Sequence, residues 1–243
     1  PEAMAPDLLA WSNAMVGMYM AGRTRETEDR AAKAARDFAD FLRGHIDARR
    51  ATAADDLITH LIAAEEDGTR LTTDEMISTC ILLLNAGHEA TVHTLGNGVK
   101  TLLETGTDPR AHDPARLTEE VLRHDPPLHL FTRHAYEDVE VHGMTIREGT
   151  DVGLLLAAAN RDPAAYPEPS RFDPARFACG APAHVSLGAG IHFCVGAPLA
   201  RLEISVALRV LWERLPGIRL AVTPEYANVY HFHGLRSLVV DQG

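Results

Sequence analysis

Thr72-Thr-Asp-Glu75 opens the longest helical pattern in the chain, and no other feature restricts the fold as much. Thr72 is placed to cap an amide three residues on while Glu75 reaches back to the Thr72 amide, so the helix start satisfies its own donors. The pattern can continue to Leu103, about 32 residues or roughly 48 Å at 1.5 Å per residue. A rod of that length spans a small domain, and the other elements have to pack along it. Its middle, Ala86-Gly-His-Glu-Ala-Thr91, is unusual in content. Gly87 costs about 1 kcal/mol relative to alanine inside a helix and needs a packing or ligand reason. Glu89 is an acid in an apolar helix. Two readings stand: a kinked core helix with Glu89 at a wet edge, or a groove with a proton-relay carboxylate.

The rest of the first half also predicts helices. Leu8 to Met20 is apolar and methionine-rich, with Met15, Met18 and Met20 serving either a substrate roof or core packing. From Glu26 to Arg49, Ala31, Ala35, Phe38, Leu42 and Ile46 recur at three- and four-residue spacing as one buried stripe. Asp55 to Ala64 is a shorter helix that ends at Glu65-Glu-Asp-Gly68. Later, Glu119 to His124 is helical and stops at Pro126-Pro127. Asp138 to Ile146, turning at Gly143, predicts a hairpin. A last helix begins near Cys194 with Val195, Leu199, Leu202, Val206 and Val210 on one face, and the tail from Tyr230 predicts sheet.

Composition narrows the function classes. With 23 Lys+Arg against 34 Asp+Glu, the formal charge is −11. That balance disfavours nucleic acid and anionic membranes as partners, because both need a basic face. No run approaches the ~20 apolar residues of a membrane helix. Three cysteines without a C-x-x-C pair exclude a disulfide scaffold and favour a cytoplasmic location. The chain starts at Pro1, which suggests a trimmed or truncated protein. Its 243 residues suit a single domain, incomplete at the N-terminus.

Three motifs carry chemistry. In Ser186-Leu-Gly-Ala-Gly-Ile-His-Phe-Cys-Val-Gly196, Gly188 and Gly190 open backbone conformations closed to other residues and leave room for a flat ligand. Cys194 then sits at a helix N-terminus, where amides and the dipole stabilise a thiolate. Gly196 keeps bulk from the side where a metal plane would lie. Glu120 and Arg123, an i, i+3 pair, combine with Arg176 of Phe172-Asp-Pro-Ala-Arg-Phe177 into a plausible buried ion-pair network. The Ala86–Thr91 segment is the third.

Taken in order, these motifs resemble the bacterial, soluble type of cytochrome P-450, over essentially the whole chain from about Leu8 to Val240. The resemblance implies a mainly α fold with small β-sheets, N-terminally truncated, and heme b as cofactor with Cys194 as its iron ligand. It implies that His192 and Arg133 bind the propionates. Leu187, Gly188, Gly190, Phe193, Gly196 and Ala200 would contact the heme on the cysteine side, with Leu82, Ala86 and Gly87 in the distal groove. Glu89 matches the proton-delivery acid, followed by Ala90 and Thr91. Glu120, Arg123 and Arg176 match the structural ion-pair network. The implied reaction is insertion of one oxygen atom of O2 into an apolar small molecule. NAD(P)H electrons would pass through a reductase and a separate ferredoxin or flavodoxin-type donor.

The chain departs from that family at three points. Ala90 stands where a threonine is usual, and Thr91 lies about 100° round the helix from it. Leu187 replaces the usual aromatic, and the N-terminal helices have no counterpart. One alternative is therefore a truncated heme-thiolate protein that binds heme or ligand without productive turnover. Another is a zinc-dependent hydrolase using the 13 histidines, although no H-E-x-x-H helix is present. His231 and His233 share a strand face and are assigned to a polar surface, since no third ligand has matching spacing. His88 and His93, five apart, do not face each other. Cys80 is assigned to the core and Cys179 has no role.

Overall fold

The computed structural model describes residues 2–20, 22–66, 71–228 and 232–242. The chain forms two compact units, residues 1–88 and 89–243, linked through one continuous helix, and each is described by itself.

Unit one is helical: α1 (Ala5–Val16), a 3-10 turn (Gly17–Tyr19), α2 (Arg25–Ala51), α3 (Leu57–Glu66) and the first half of α4 (Thr73–Thr105). Thr24 caps α2 by accepting the Thr27 amide at 3.3 Å. The buried stripe of α2 is Ala31, Ala34, Phe38, Leu42 and Ile46. Ala34 replaces the expected Ala35, because a 3.6-residue period brings the position four before Phe38 onto its face. Phe38, Leu42 and Ile46 pack with Ile62, Met76 and Ile77, while the Trp11 ring lies 5.5 Å from Phe38. Met15 and Cys80 border this core, and burial pushes the Cys80 thiol upward in pKa. The cap on α4 forms as expected. The Thr72 amide donates to Glu75 at 2.7 Å and the Glu75 amide to Thr72 Oγ1 at 3.3 Å. Helix α4 then runs 33 residues without a break at Gly87.

Unit two packs the second half of α4 against α5 (Pro114–His124) and α7 (Ala197–Arg214) through Val99, Leu102, Leu117, Val121, Leu122, Ile204, Leu208 and Trp212. At Gly98 an added Cβ would meet Val121 Cγ1 at 2.9 Å, so α4 and α5 approach more closely there than a side chain permits. The α7 face expected from sequence is not the buried one. Ile204, Leu208 and Trp212 are buried, whereas Val195, Leu199, Leu202, Val206 and Val210 are exposed. Both rows are apolar at helical spacing and lie about 200° apart, so only the position of α5 and α4 chooses between them.

Between the helices lie small antiparallel sheets. Strand β1 (Leu130–His134) pairs β4 (Asp151–Leu155) with Arg133 opposite Val152, a pairing that local patterning did not signal. Strands β2 (Val139–Val141) and β3 (Met144–Ile146) form the expected hairpin. Its turn residues His142 and Gly143 both have positive φ, as a two-residue turn of this hand requires. A four-residue helix α6 (Leu156–Ala159) follows β4, and β5 (Ile218–Leu220) pairs β6 (Val240–Gln242). Of the expected tail sheet, Tyr230 and His231 fall outside the described residues, Phe232 and His233 are irregular rather than strand, and Val240 opens β6.

Candidate functional site

The cysteine loop is anchored before it is shaped. Buried Ser186 donates from its hydroxyl to the Leu122 carbonyl at the end of α5, at 2.6 Å. Asn160 donates to that hydroxyl at 2.6 Å and accepts the Val185 amide at 2.8 Å. Gly188 and Gly190 then take φ of 73° and 66°, open to glycine at little cost, and turn the chain through a 3-10 segment at Gly190–His192. The Cys194 amide closes the loop onto the Leu187 carbonyl at 2.9 Å, and the Ala197 amide donates to the Cys194 carbonyl at 3.2 Å.

Cys194 emerges as a free, half-buried thiol three residues before α7, near the amide-rich end of the helix. A Cβ on Gly196 would sit 3.8 Å from its sulfur. Around it, Ile191 is 97% exposed, Phe193 49% and Val195 86%, an apolar rim that a water-facing loop has no reason to carry. Leu187 packs inward on the core and Ala200 lies in the first turn of α7. His192 is exposed in the 3-10 turn. Arg133 is exposed on β1 and donates to the Thr132 carbonyl at 3.0 Å. These features fit a flat, apolar, metal-centred group. The soft sulfur donor is partly accessible, glycines remove bulk beside it, and an arginine and a histidine, donor types suited to carboxylates, are exposed.

Glu120 and Arg123 of α5 have no exposed side-chain surface. Arg123 forks onto Glu120 with Nε–Oε2 at 2.7 Å and Nη2–Oε1 at 2.8 Å. Its remaining donors reach the carbonyls of Asn160, Pro169 and Arg171 at 3.0, 2.9 and 3.2 Å. Glu120 also accepts the Asp173 amide at 2.7 Å and Arg176 Nε at 3.3 Å. The three residues singled out in the sequence are thus brought together, and they tie α5 to residues 160–176.

A second network went unseen in the sequence. Glu119 accepts Arg201 Nε of α7 at 2.5 Å, with His184 Nε2 at 3.3 Å. Burial alone would raise the Glu119 pKa, but His184 and Arg201 outweigh it and hold the carboxylate at about 2. Nothing local signals this pairing, because its members come from three segments. On α4, Glu89 lies 3.5 Å from His93 Nε2, one turn on. The Thr94 hydroxyl donates back to the Ala90 carbonyl at 2.7 Å. Ala86, Gly87 and Leu82 are exposed, and a Cβ at Gly87 would meet no atom within 4 Å. Among the described residues, packing therefore supplies no reason for that glycine.

A partly accessible cysteine in a glycine-shaped loop, with a buried Glu–Arg pair in the helix beneath, offers the donor and the space that a heme-thiolate protein needs. More narrowly, the chain belongs to the cytochrome P-450 family, whose model matches residues 116–215, from α5 through the cysteine loop to the end of α7. It is 41% identical over 230 residues to cytochrome P-450 107B1 of Saccharopolyspora erythraea, covering 92% of this chain and 54% of that protein. With 6-deoxyerythronolide B hydroxylase of the same organism it shares 41% identity over 204 residues, 81% of this chain and 50% of the relative. Among solved structures, P-450BioI in complex with acyl carrier protein ligated to hexadec-9Z-enoic acid superposes with TM-score 0.92 at 34% identity. That match covers 100% of this chain and 63% of the other. The chain spans about half the length of the curated relatives it matches. Family membership implies heme b as the cofactor.

Proposed function

We propose that the protein containing this chain is a monooxygenase that places one atom of O2 in an apolar small molecule. The other atom leaves as water, and NAD(P)H supplies two electrons through a reductase and a ferredoxin or flavodoxin-type donor. The observation that carries this reading is Cys194, a free thiol in a glycine-shaped loop at the start of α7.

Heme b bound at that sulfur supplies a redox-active iron whose thiolate ligand favours O–O cleavage. The chain's own residues do the rest. Gly188, Gly190 and Gly196 keep the sulfur's surroundings free of side chains, while Phe193 and Ala200 offer apolar contact. Arg133 and His192 would donate to the propionates, Arg133 by its planar fork. Glu120, Arg123 and Arg176 hold the loop's foundation. Glu89 holds or passes a proton at its carboxylate. Ala90 has no proton to give, and the Thr94 hydroxyl is committed to the Ala90 carbonyl. Delivery therefore runs through Glu89, Thr91, water or a substrate hydroxyl.

Relatives named 6-deoxyerythronolide B hydroxylase and erythromycin C-12 hydroxylase support hydroxylation as the reaction. A cytoplasmic location belongs to the same proposal; no helix among the described residues is long and apolar enough to cross a membrane. Ala90 also favours a second reading, binding without productive turnover. The deciding experiment is product formation by the full-length protein with surrogate redox partners, after a CO difference spectrum of its reduced form. A strongly red-shifted Soret band with hydroxylated product supports the monooxygenase. The band without product supports the second reading, and no such band overturns both.

A further inference from the structure

We infer that Asp125, His129 and His233 form a binding site for one divalent transition-metal ion of the zinc class. None of the three belongs to the cysteine loop or to the Glu120–Arg123 network. Asp125 and His129 flank Pro126-Pro127 just after α5, and His233 arrives from the far end of the chain. One ligand atom from each lies within 4.8 Å of the other two, and all three residues are half-buried. His233 Nε2 is 3.1 Å from Asp125 Oδ1, and the His129 and His233 rings stack with centroids 4.2 Å apart.

The donor set, two imidazoles and one carboxylate, is the kind that zinc accepts, with a fourth position left for water. Ligands around a tetrahedral ion at roughly 2.1 Å stand about 3.4 Å apart. The Asp125–His233 separation is already near that value, so closing the set is a matter of small side-chain rotations.

A chance cluster of polar groups seldom has a supporting layer, and this one does. The Tyr226 hydroxyl donates to the second carboxylate oxygen of Asp125 while its ring stacks on His233, with centroids 4.0 Å apart. Such outer partners are what orient metal-binding side chains. Fully buried Asn97 of α4 clamps the two backbone segments, donating to the Asp125 carbonyl at 3.2 Å and the His233 carbonyl at 3.0 Å. The His233 amide donates to the Pro127 carbonyl at 2.7 Å. At Gly234 any side chain would overlap the His93 ring, so the backbone beside His233 is also held. A bound ion would staple residues 125–129 to the segment around His233.

The test uses full-length, heme-loaded protein without a histidine tag, titrated with zinc against a chromophoric chelator. The inference expects one equivalent of zinc in the wild type that His129→Gln and His233→Ala each remove, with heme content unchanged. Tyr226→Phe keeps the ring and loses only the hydroxyl; it should weaken binding about 10- to 100-fold. If His233→Ala does not fold, His129→Gln and Tyr226→Phe answer the question alone. Failure of the wild type to bind zinc, or equal binding by His129→Gln and the wild type, overturns the site. Neither result bears on Cys194.

Discussion

Replacing Glu120 with alanine strands the Arg123 guanidinium, and the size of the effect follows from the contacts. Arg123 has no exposed side-chain surface, and its charge is balanced by one carboxylate through bonds of 2.7 and 2.8 Å. The carbonyls of Asn160, Pro169 and Arg171 solvate the guanidinium but carry no countercharge. Glu120→Ala also leaves the Asp173 amide without its 2.7 Å acceptor and Arg176 without its 3.3 Å partner. Breaking one side of a buried pair costs roughly 3–5 kcal/mol, about a fifth or more of a total stability of about 5–15 kcal/mol. Glu120→Gln, which keeps an acceptor but not the charge, should fall in between. Arg176→Ala leaves the main fork intact and should cost least. Urea unfolding of the full-length heme-loaded protein, followed by far-UV circular dichroism, gives the ranking. A Glu120→Ala variant within about 1 kcal/mol of wild type would refute the claim that the network carries structure. Normal stability with lost turnover would move Glu120 into the chemistry instead.

Cys194→Ser should abolish the red-shifted CO band of the reduced protein, whereas Cys80→Ser and Cys179→Ser should leave it; retention in Cys194→Ser would sink the heme assignment. In the full-length protein, Ala90→Thr should raise product formed per NAD(P)H consumed, and unchanged coupling would mean that water or substrate already supplies the proton. His124 is held at about 4 by burial, then by Arg161 and Arg123, against 6.5 for a free imidazole. The unfolded chain therefore binds the extra proton first. Stability should be full above pH 6.5 and fall as pH drops toward 4, by roughly 2 kcal/mol after allowing for partial exposure. His124→Gln should flatten that window in pH-dependent unfolding, and an unchanged slope would assign it to other groups.

What could be read in the sequence was what closes within a few residues. The Thr72–Glu75 cap, the stripe of α2, the positive-φ turn at His142-Gly143 and the Glu120–Arg123 fork each satisfy their own donors, periods or charges locally. The glycine loop belongs with them: the Gly188 amide donates to the Val185 carbonyl, the Phe193 amide to Gly190 and the Cys194 amide to Leu187, all inside the loop, so spacing alone pointed to a tight turn. Even there, the anchors Asn160 and Ser186 became visible only once α5 lay beneath the loop.

Tertiary structure decided everything that depends on where the chain returns. Helix α7 carries two apolar rows, and periodicity cannot rank them; contact with α5 and α4 buried the row of Ile204, Leu208 and Trp212. The partners of Glu119 lie in the His184 loop and on α7, and β1 finds β4 across an intervening hairpin. His233 had no third ligand by spacing because its neighbours Asp125 and His129 lie more than 100 residues earlier. Helical period, capping and turn chemistry act between neighbours along the backbone and are written in residue order. Long-range ion pairs, buried faces and convergent ligands arise only when burial of the core has paid the entropy of closing the long loops between them.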